Sequence, residues 1–279
     1  MILIDGKKIQ REILEQIEKE IKTLPFVPVF CDVLVGDDPA SMQYVKIKSK
    51  VAESVGIKFK NASFPSSTTT EELIEEIKNL NKIPNMCGII VQLPLPLSLD
   101  TRRVLDAIDP KLDVDCLGSV ASGEFYRGKT ELGFPTALAC MYLLDSINLD
   151  LKDKKIVTIG KGELVGRPVN ALLNFRNLET LIIDRGTEES EKKKIIKEAD
   201  VIISATGQGK FITGDMIKSG AVLLDAGTSE SGAGIVGDVD LDSVKDVAGY
   251  VSPVPGGVGP VTVAMLLQNV LKVAKNQHR

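Results

Sequence analysis

Helically spaced apolar residues and short apolar runs alternate along most of this chain. In residues 7–22, Ile9, Ile13, Leu14, Ile17 and Ile21 recur at the intervals of one helix face, and VPVFCDVLVG follows as an apolar strand that a glycine ends. DDPASMQYVKIKSKVAESVG reads as a helix with Asp38 at the N-cap, Pro39 at the first helical position and a stop at Gly56. Residues 57–64 form a short strand and 70–80 a helix, and MCGIIVQLPLP is a buried strand that its prolines close. From Leu151 the rhythm restarts: KKIVTIG is a strand, VGRPVNALLNF a helix, ETLIID a strand, and a charged helix runs through Lys197. ADVIISATG and GAVLLDAGT are further strands, with TGDMIKSG as a short helical crossover between them. SPVPGGVGPVT is a shaped loop, and Thr262 is placed as the cap of a final amphipathic helix, VAMLLQNVLKVAKNQ.

This alternation predicts an α/β protein, and the unbroken apolar strands of the second half predict a parallel sheet covered on both faces. With 279 residues the chain has room for two domains.

Composition narrows the chemistry. Lys+Arg total 34 against Asp+Glu 38, a net charge of −4 with no long basic block, which excludes a nucleic-acid partner but not a small anion. The one histidine, His278, is next to the last residue, so Ser/His/Asp triads, Cys/His dyads and His-based metal sites are not expected. Acid/base work falls to a lysine, a tyrosine, a carboxylate or the reactants themselves. Cys31, Cys87, Cys116 and Cys140 form no CxxC pair and read as core thiols. No signal peptide and no apolar run of membrane-spanning length is recognised, so a cytoplasmic protein without a membrane partner is expected.

Four segments carry candidate chemistry. Gly160-Lys161-Gly162-Glu163-Leu164-Val165-Gly166 follows a strand and opens a helix. In such a turn the first glycine permits the bend, the second a close approach to phosphate and the third close helix–strand packing. The next strand ends at Asp184, an acid suited to ribose hydroxyls and so to NAD; Arg185 and Lys161 are cations suited to the extra phosphate of NADP. The cofactor set is completed by Ala205, Thr206 and Gly207 at one strand end and Thr228 at another.

Tyr44 and Lys48, one helical turn apart, share a face, where a phenol beside an amine can tune the amine as a base or proton shuttle. Gln92, at the end of a buried strand, needs partners for its amide. Asp113 and Asp115 alternate faces if extended, so one of them points inward, and they are not read as a metal site. The stretch from Pro253 to Thr262, with Pro255, Gly256 and Gly257 at its centre, suits recognition of a flat polar ligand.

Together these segments resemble the methylenetetrahydrofolate dehydrogenase/cyclohydrolase family over nearly the whole chain: VGDDPAS with Tyr44 and Lys48, residues 88–96 around Gln92, Asp113-Val114-Asp115, Gly160 to Pro168, Gly237-Asp238-Val239-Asp240, and Pro253 to Thr262. The resemblance implies a folate-binding catalytic domain at 1–118 with the 262–279 helix packed back on it, and a Rossmann-like NAD(P)-binding domain at 119–261. It implies a cytosolic homodimer that oxidises 5,10-methylenetetrahydrofolate with NADP⁺ and hydrolyses the methenyl product to 10-formyltetrahydrofolate. By the same resemblance Lys48 serves hydrolysis, Tyr44 stacks near the pterin, Gln92 places Lys48, Asp115 binds the pterin N–H groups, and Pro255-Gly256-Gly257 shapes that pocket. The family pattern is altered at Phe134–Ala139, at Lys161-Gly162, at Asp184-Arg185 and at Cys116-Leu117-Gly118, which leaves NAD as the alternative to NADP. The competing readings are an NAD-dependent dehydrogenase with little hydrolase activity and a non-catalytic nucleotide sensor.

Overall fold

A computed structural model describes residues 1–231 and 234–277, so His278 lies outside the described residues. The chain begins with β1 (Ile2–Leu3), α1 (Gly6–Ile21), β2 (Val29–Val35), α2 (Pro39–Ser54), β3 (Lys58–Phe64), α3 (Thr70–Leu80) and β4 (Met86–Val91). Three short helices follow, α4 (Thr101–Leu105), α5 (Ser119–Tyr126) and α6 (Pro135–Ser146). Then come β5 (Ile156–Ile159), α7 (Gly166–Phe175), β6 (Thr180–Ile183), α8 (Glu189–Glu198), β7 (Val201–Ser204) and β8 (Val222–Asp225). The chain ends through β9 (Ser229–Ser231), β10 (Gly234–Val236), α9 (Leu241–Val244), β11 (Tyr250–Ser252) and α10 (Val258–Asn276).

Two compact units result, one of Glu12–Pro135 with Val263–Arg279 and one of Met1–Arg11 with Thr136–Thr262. The division differs from 1–118/119–261 at both ends of that expectation. Residues 119–135 belong with the first unit, where Phe125 and Phe134 meet edge to face at 5.0 Å. The first eleven residues belong with the second, because β1 pairs with β11.

The three-stranded unit has a parallel sheet in the order β3-β2-β4. Every residue of β2 is buried, as expected for a strand flanked on both edges and covered on both faces. α2 starts as its sequence predicts, with the Asp38 carboxylate accepting from Ser41 N and Pro39 at the start, and a capping box of Thr69 and Glu72 opens α3. In α10, Asn269 Nδ2 donates to the carbonyls of Val114 (2.8 Å) and Gly133 (2.7 Å), tying the helix to the segments that precede α5 and α6.

The six-stranded unit is ordered β1-β11-β8-β7-β5-β6 with every pairing parallel. The chain leaves β5 for β6 on one side and then returns to β7 on the other. The carboxyl ends of β5 and β7 therefore flank the topological switch point where such sheets open a crevice. Its core includes Val157, Ile202, Leu223 and Val251, all fully buried.

Two local expectations are corrected. Thr213–Gly220 forms turns instead of a helical crossover, and the Asp215 and Ile217 carbonyls accept from Lys197 Nζ at 2.8 and 2.9 Å. α10 begins at Val258, so Thr262 is inside the helix, its hydroxyl donating to Val258 O, and does not cap it. Pro260 is tolerated there because a first-turn residue has no intrahelical partner for an N–H.

Candidate functional site

In the three-stranded unit the chemistry gathers under α2. Successive buried positions Ser41, Val45, Lys48 and Ala52 form the face that α2 turns inward, so Lys48 occupies a place that sequence pattern alone would give to an apolar residue. Its Nζ donates to Gln92 Oε1 at 2.8 Å. Gln92 directly follows β4, and its backbone N–H continues the ladder to Val33 O. Its side-chain Nε2 donates to Leu93 O, which answers the demand for partners made by a partly buried amide.

The second neighbour of Lys48 is a residue the sequence reading missed. Asp32, wholly buried in the middle of β2, places Oδ2 2.7 Å from Lys48 Nζ. The approach is off the line of a good hydrogen bond, and neither carboxylate oxygen has a hydrogen-bond partner among the described residues. The contact is thus one of charge. Burial pushes the Asp32 carboxyl above the usual carboxylate range, against the opposing pull of Lys48. An acid inside VFCDVLV is the signal that could have found it.

Asp113 and Asp115 divide as expected, although the segment forms turns instead of an extended strand. Asp113 is buried and structural: its carboxylate accepts from Gly118 N at 2.7 Å and Leu117 N at 3.3 Å. Asp115 is partly exposed. Burial first, then the nearby Asp113 and Asp32 charges, push it up to about 7, while Lys48 pulls the other way. Within one unit, Lys48 thus meets Gln92 through a hydrogen bond and Asp32 through charge, and the charges of Lys48 and Asp32 also act on Asp115. Tyr44 stands one turn before Lys48 with its ring exposed, available to a ligand.

In the six-stranded unit the glycine turn after β5 has the shape its sequence implies. Gly160 has φ +101°, and a side chain there would strike Ala205 O; one at Gly166 would strike Gly160 O. Gly162 faces open space. α7 starts behind this turn with Val165 as an N-cap that makes no side-chain bond; Arg167 N donates to Gly162 O at 3.0 Å and Pro168 has no N–H, which leaves the Gly166 N–H at the helix start to face a ligand. These features fit a dinucleotide pyrophosphate. Ala205, Thr206 and Gly207 lie beyond the adjacent β7, and Gly207 has the Thr228 carbonyl beside it. Lys161 and Arg185 are exposed, whereas Asp184 Oδ1 accepts from Gly186 N at 2.8 Å within its own turn.

Behind the 205–208 loop is a pair of buried carboxylates to which sequence reading gave no role. Asp238 accepts from Ser204 Oγ (2.6 Å), Thr206 N (2.8 Å) and Gln208 N (2.9 Å). Asp225 in turn accepts from the backbone N–H groups of Gly227, Asp238 and Val239. The Pro255-Gly256-Gly257 turn belongs to this same unit and is not in the unit of Lys48; it follows β11, with Gly257 N donating to Pro253 O. Among the described residues no three His, Cys, Asp or Glu side chains gather as a metal site, and the four cysteines are free and buried.

A parallel sheet with a glycine turn at its switch point, together with a separate unit holding a buried lysine among carboxylates, defines a dinucleotide-dependent α/β enzyme. Residues 4–115 match the catalytic domain of tetrahydrofolate dehydrogenase/cyclohydrolase, and residues 135–278 match the NAD(P)-binding domain of the same enzymes. The chain is 40% identical to the bifunctional protein FolD of a Nitratiruptor species, with 100% of each chain covered. It superposes on the bifunctional FolD of Campylobacter jejuni with TM-score 0.95 at 36% identity, covering 99% of both chains. The Trypanosoma brucei methylenetetrahydrofolate dehydrogenase-cyclohydrolase solved with NADP and an inhibitor gives TM-score 0.94 at 32% identity, covering 100% of this chain and 99% of that one. The chain belongs to the tetrahydrofolate dehydrogenase/cyclohydrolase family.

Proposed function

We propose that the protein oxidises 5,10-methylenetetrahydrofolate to 5,10-methenyltetrahydrofolate with NADP⁺ and hydrolyses the product to 10-formyltetrahydrofolate. The observation that carries this reading is the Lys48–Gln92 hydrogen bond, set among Asp32 and Asp115 in a chain that also builds a dinucleotide turn. Bound NADP⁺ supplies the hydride acceptor. The folate nitrogens stabilise the cation left behind, so oxidation asks the protein for distance and orientation more than for acid/base groups.

Hydrolysis asks for more. Water adds to the methenyl carbon, the N5–carbon bond breaks, and one proton leaves in the balance. Lys48 is the group placed to manage that proton, with Gln92 fixing its head group. Asp115 meets the N–H donors of the pterin, and Tyr44 offers its exposed ring for stacking. Gly160, Lys161, Gly162, Val165 and Gly166 receive the pyrophosphate, Arg185 the extra phosphate, and Ala205, Thr206, Gly207 and Thr228 flank the nicotinamide side.

The active form is a homodimer in the cytoplasm. Phe175, Leu181 and Ile182 are exposed on and beside β6, an edge strand, which supports self-association, and four free thiols support a reducing compartment. Among the described residues no helix is long and apolar enough to cross a membrane. A spectrophotometric assay with methylenetetrahydrofolate and NADP⁺, followed by decay of the methenyl absorbance, tests both reactions. Absence of cofactor reduction would reject the reading, and sedimentation of the purified protein tests the dimer.

A further inference from the structure

We propose that Asp32 is a positioning residue for the hydrolytic reaction, its buried carboxylate holding the Lys48 head group against the sheet together with Gln92. This rests on the function proposed above.

The other buried carboxylates of the chain supply the contrast. Asp113 accepts from Gly118 N and Leu117 N; Asp225 accepts from three backbone N–H groups; Asp238 accepts from two backbone N–H groups and a hydroxyl. Each of these organises a loop. Asp32 organises none: no hydrogen bond reaches either of its oxygens among the described residues, and its charge meets Lys48 Nζ at 2.7 Å. Burying a carboxylate without hydrogen bonds is costly, so a strand core has no packing reason to keep one. The direct contact that Asp32 makes and an apolar residue could not make is its charge pairing with the lysine.

Strand register explains how the attraction becomes placement. Asp32 lies opposite Ile90 in the β2/β4 pairing, and Gln92 is two residues beyond Ile90, on the same face. One acceptor therefore sits within β2 and the other just past the end of the adjacent β4. Lys48 is drawn down between them, Gln92 taking one N–H at 2.8 Å and Asp32 anchoring the charge. Of the three ammonium hydrogens at least one remains for the substrate.

The test uses Asp32→Asn in the full-length enzyme, which keeps the volume and removes the charge, with Asp32→Val as a second folded variant. For each, kcat and KM for methenyltetrahydrofolate are measured at matched folded protein. In parallel, acetylation of Lys48 by acetic anhydride, with acetate as the leaving group, is followed by mass spectrometry against exposed Lys46 and Lys50 on the same helix. The expected result is a kcat lowered about tenfold or more, with KM changed by less than roughly threefold. Lys48 acylation is expected to change relative to its two neighbours, and Asp32→Asn is expected to add no further loss in a Lys48→Met background. A purely structural Asp32 would leave kcat per folded molecule within about twofold of the parent and Lys48 labelling unchanged, and that result overturns the proposal. If the parent enzyme lacked hydrolase turnover while Lys48 labelling still responded to Asp32→Asn, the proposed function would fail and the pairing would stand.

Discussion

Lys48 Nζ donates to Gln92 Oε1 across 2.8 Å, joining the buried face of α2 to the end of β4. If this bond holds the proton-managing group in place, Lys48→Met should lower methenyltetrahydrofolate hydrolysis by about 10²- to 10⁴-fold. Gln92→Ala, which leaves the amine in place but loosens it, should cost less. Decay of the methenyl absorbance with purified variants measures both, and unchanged turnover in Lys48→Met would remove the lysine from the mechanism.

The 205–208 loop depends on Asp238, which takes the N–H groups of Thr206 and Gln208 and the hydroxyl of Ser204. Hydrogen bonds to a charged group are worth about 1.5–3 kcal/mol each, so Asp238→Asn, which turns one acceptor into a donor facing an N–H, should loosen the loop. The expected outcome is a KM for NADP⁺ raised about tenfold, with a smaller effect on methenyl hydrolysis. Equal loss of both activities would mean that Asp238 supports folding alone.

Proton linkage gives a third prediction. Burial raises Asp115 to about 7 and Asp225 to about 6 from an ordinary 3.8. A carboxyl whose folded pKa is raised binds a proton in the native state that the unfolded chain has released. Its contribution to stability is therefore present at acid pH and declines as pH rises from about 4 to about 7. Glu72 and Asp200, held below the usual range by hydrogen bonds from Thr69 and Lys218 respectively, act oppositely, and their contribution is lost only on further acidification below about 4. The urea midpoint should be higher near pH 5 than near pH 7.5. A midpoint that rises across that interval would contradict the assignment.

Cofactor choice is testable at the end of β6. Asp184 Oδ1 is engaged by Gly186 N, while Arg185 is exposed. Arg185→Ala should raise KM for NADP⁺ about tenfold and change KM for NAD⁺ little, because only NADP⁺ carries the phosphate. An equal effect on both cofactors would place the phosphate elsewhere.

Much of the fold was legible because period and punctuation agree locally. Asp38-Pro39 opens α2, Gly56 follows its end, Gly160 takes the positive φ of the bend read for it, and Gly166 is closely packed. What sequence pattern missed involves partners distant in the chain. Asp32 is part of an apolar run and acquires meaning only when Lys48 arrives from α2. TGDMIKSG has a helical look, but Lys197 takes its carbonyls. Asp238 acquires its role from Thr206 and Gln208, about thirty residues earlier. Residue alternation separated Asp113 from Asp115 without choosing between them, and only the family resemblance pointed to Asp115, since the choice depends on the backbone N–H groups of Leu117 and Gly118 that hold Asp113.

The passages between the two compact units fall at Arg11–Glu12, Pro135–Thr136 and Thr262–Val263, within α1, at the start of α6 and within α10. Neither unit is therefore a cassette that recombination could move as a single stretch of gene. A fragment of residues 4–115 would lack the Asn269 side chain that bonds the Val114 carbonyl, and one of 135–278 would lack the β1 edge of its own sheet. A viable chimera with a relative must exchange the amino-terminal strand along with the large sheet, and the end of α10 along with Lys48.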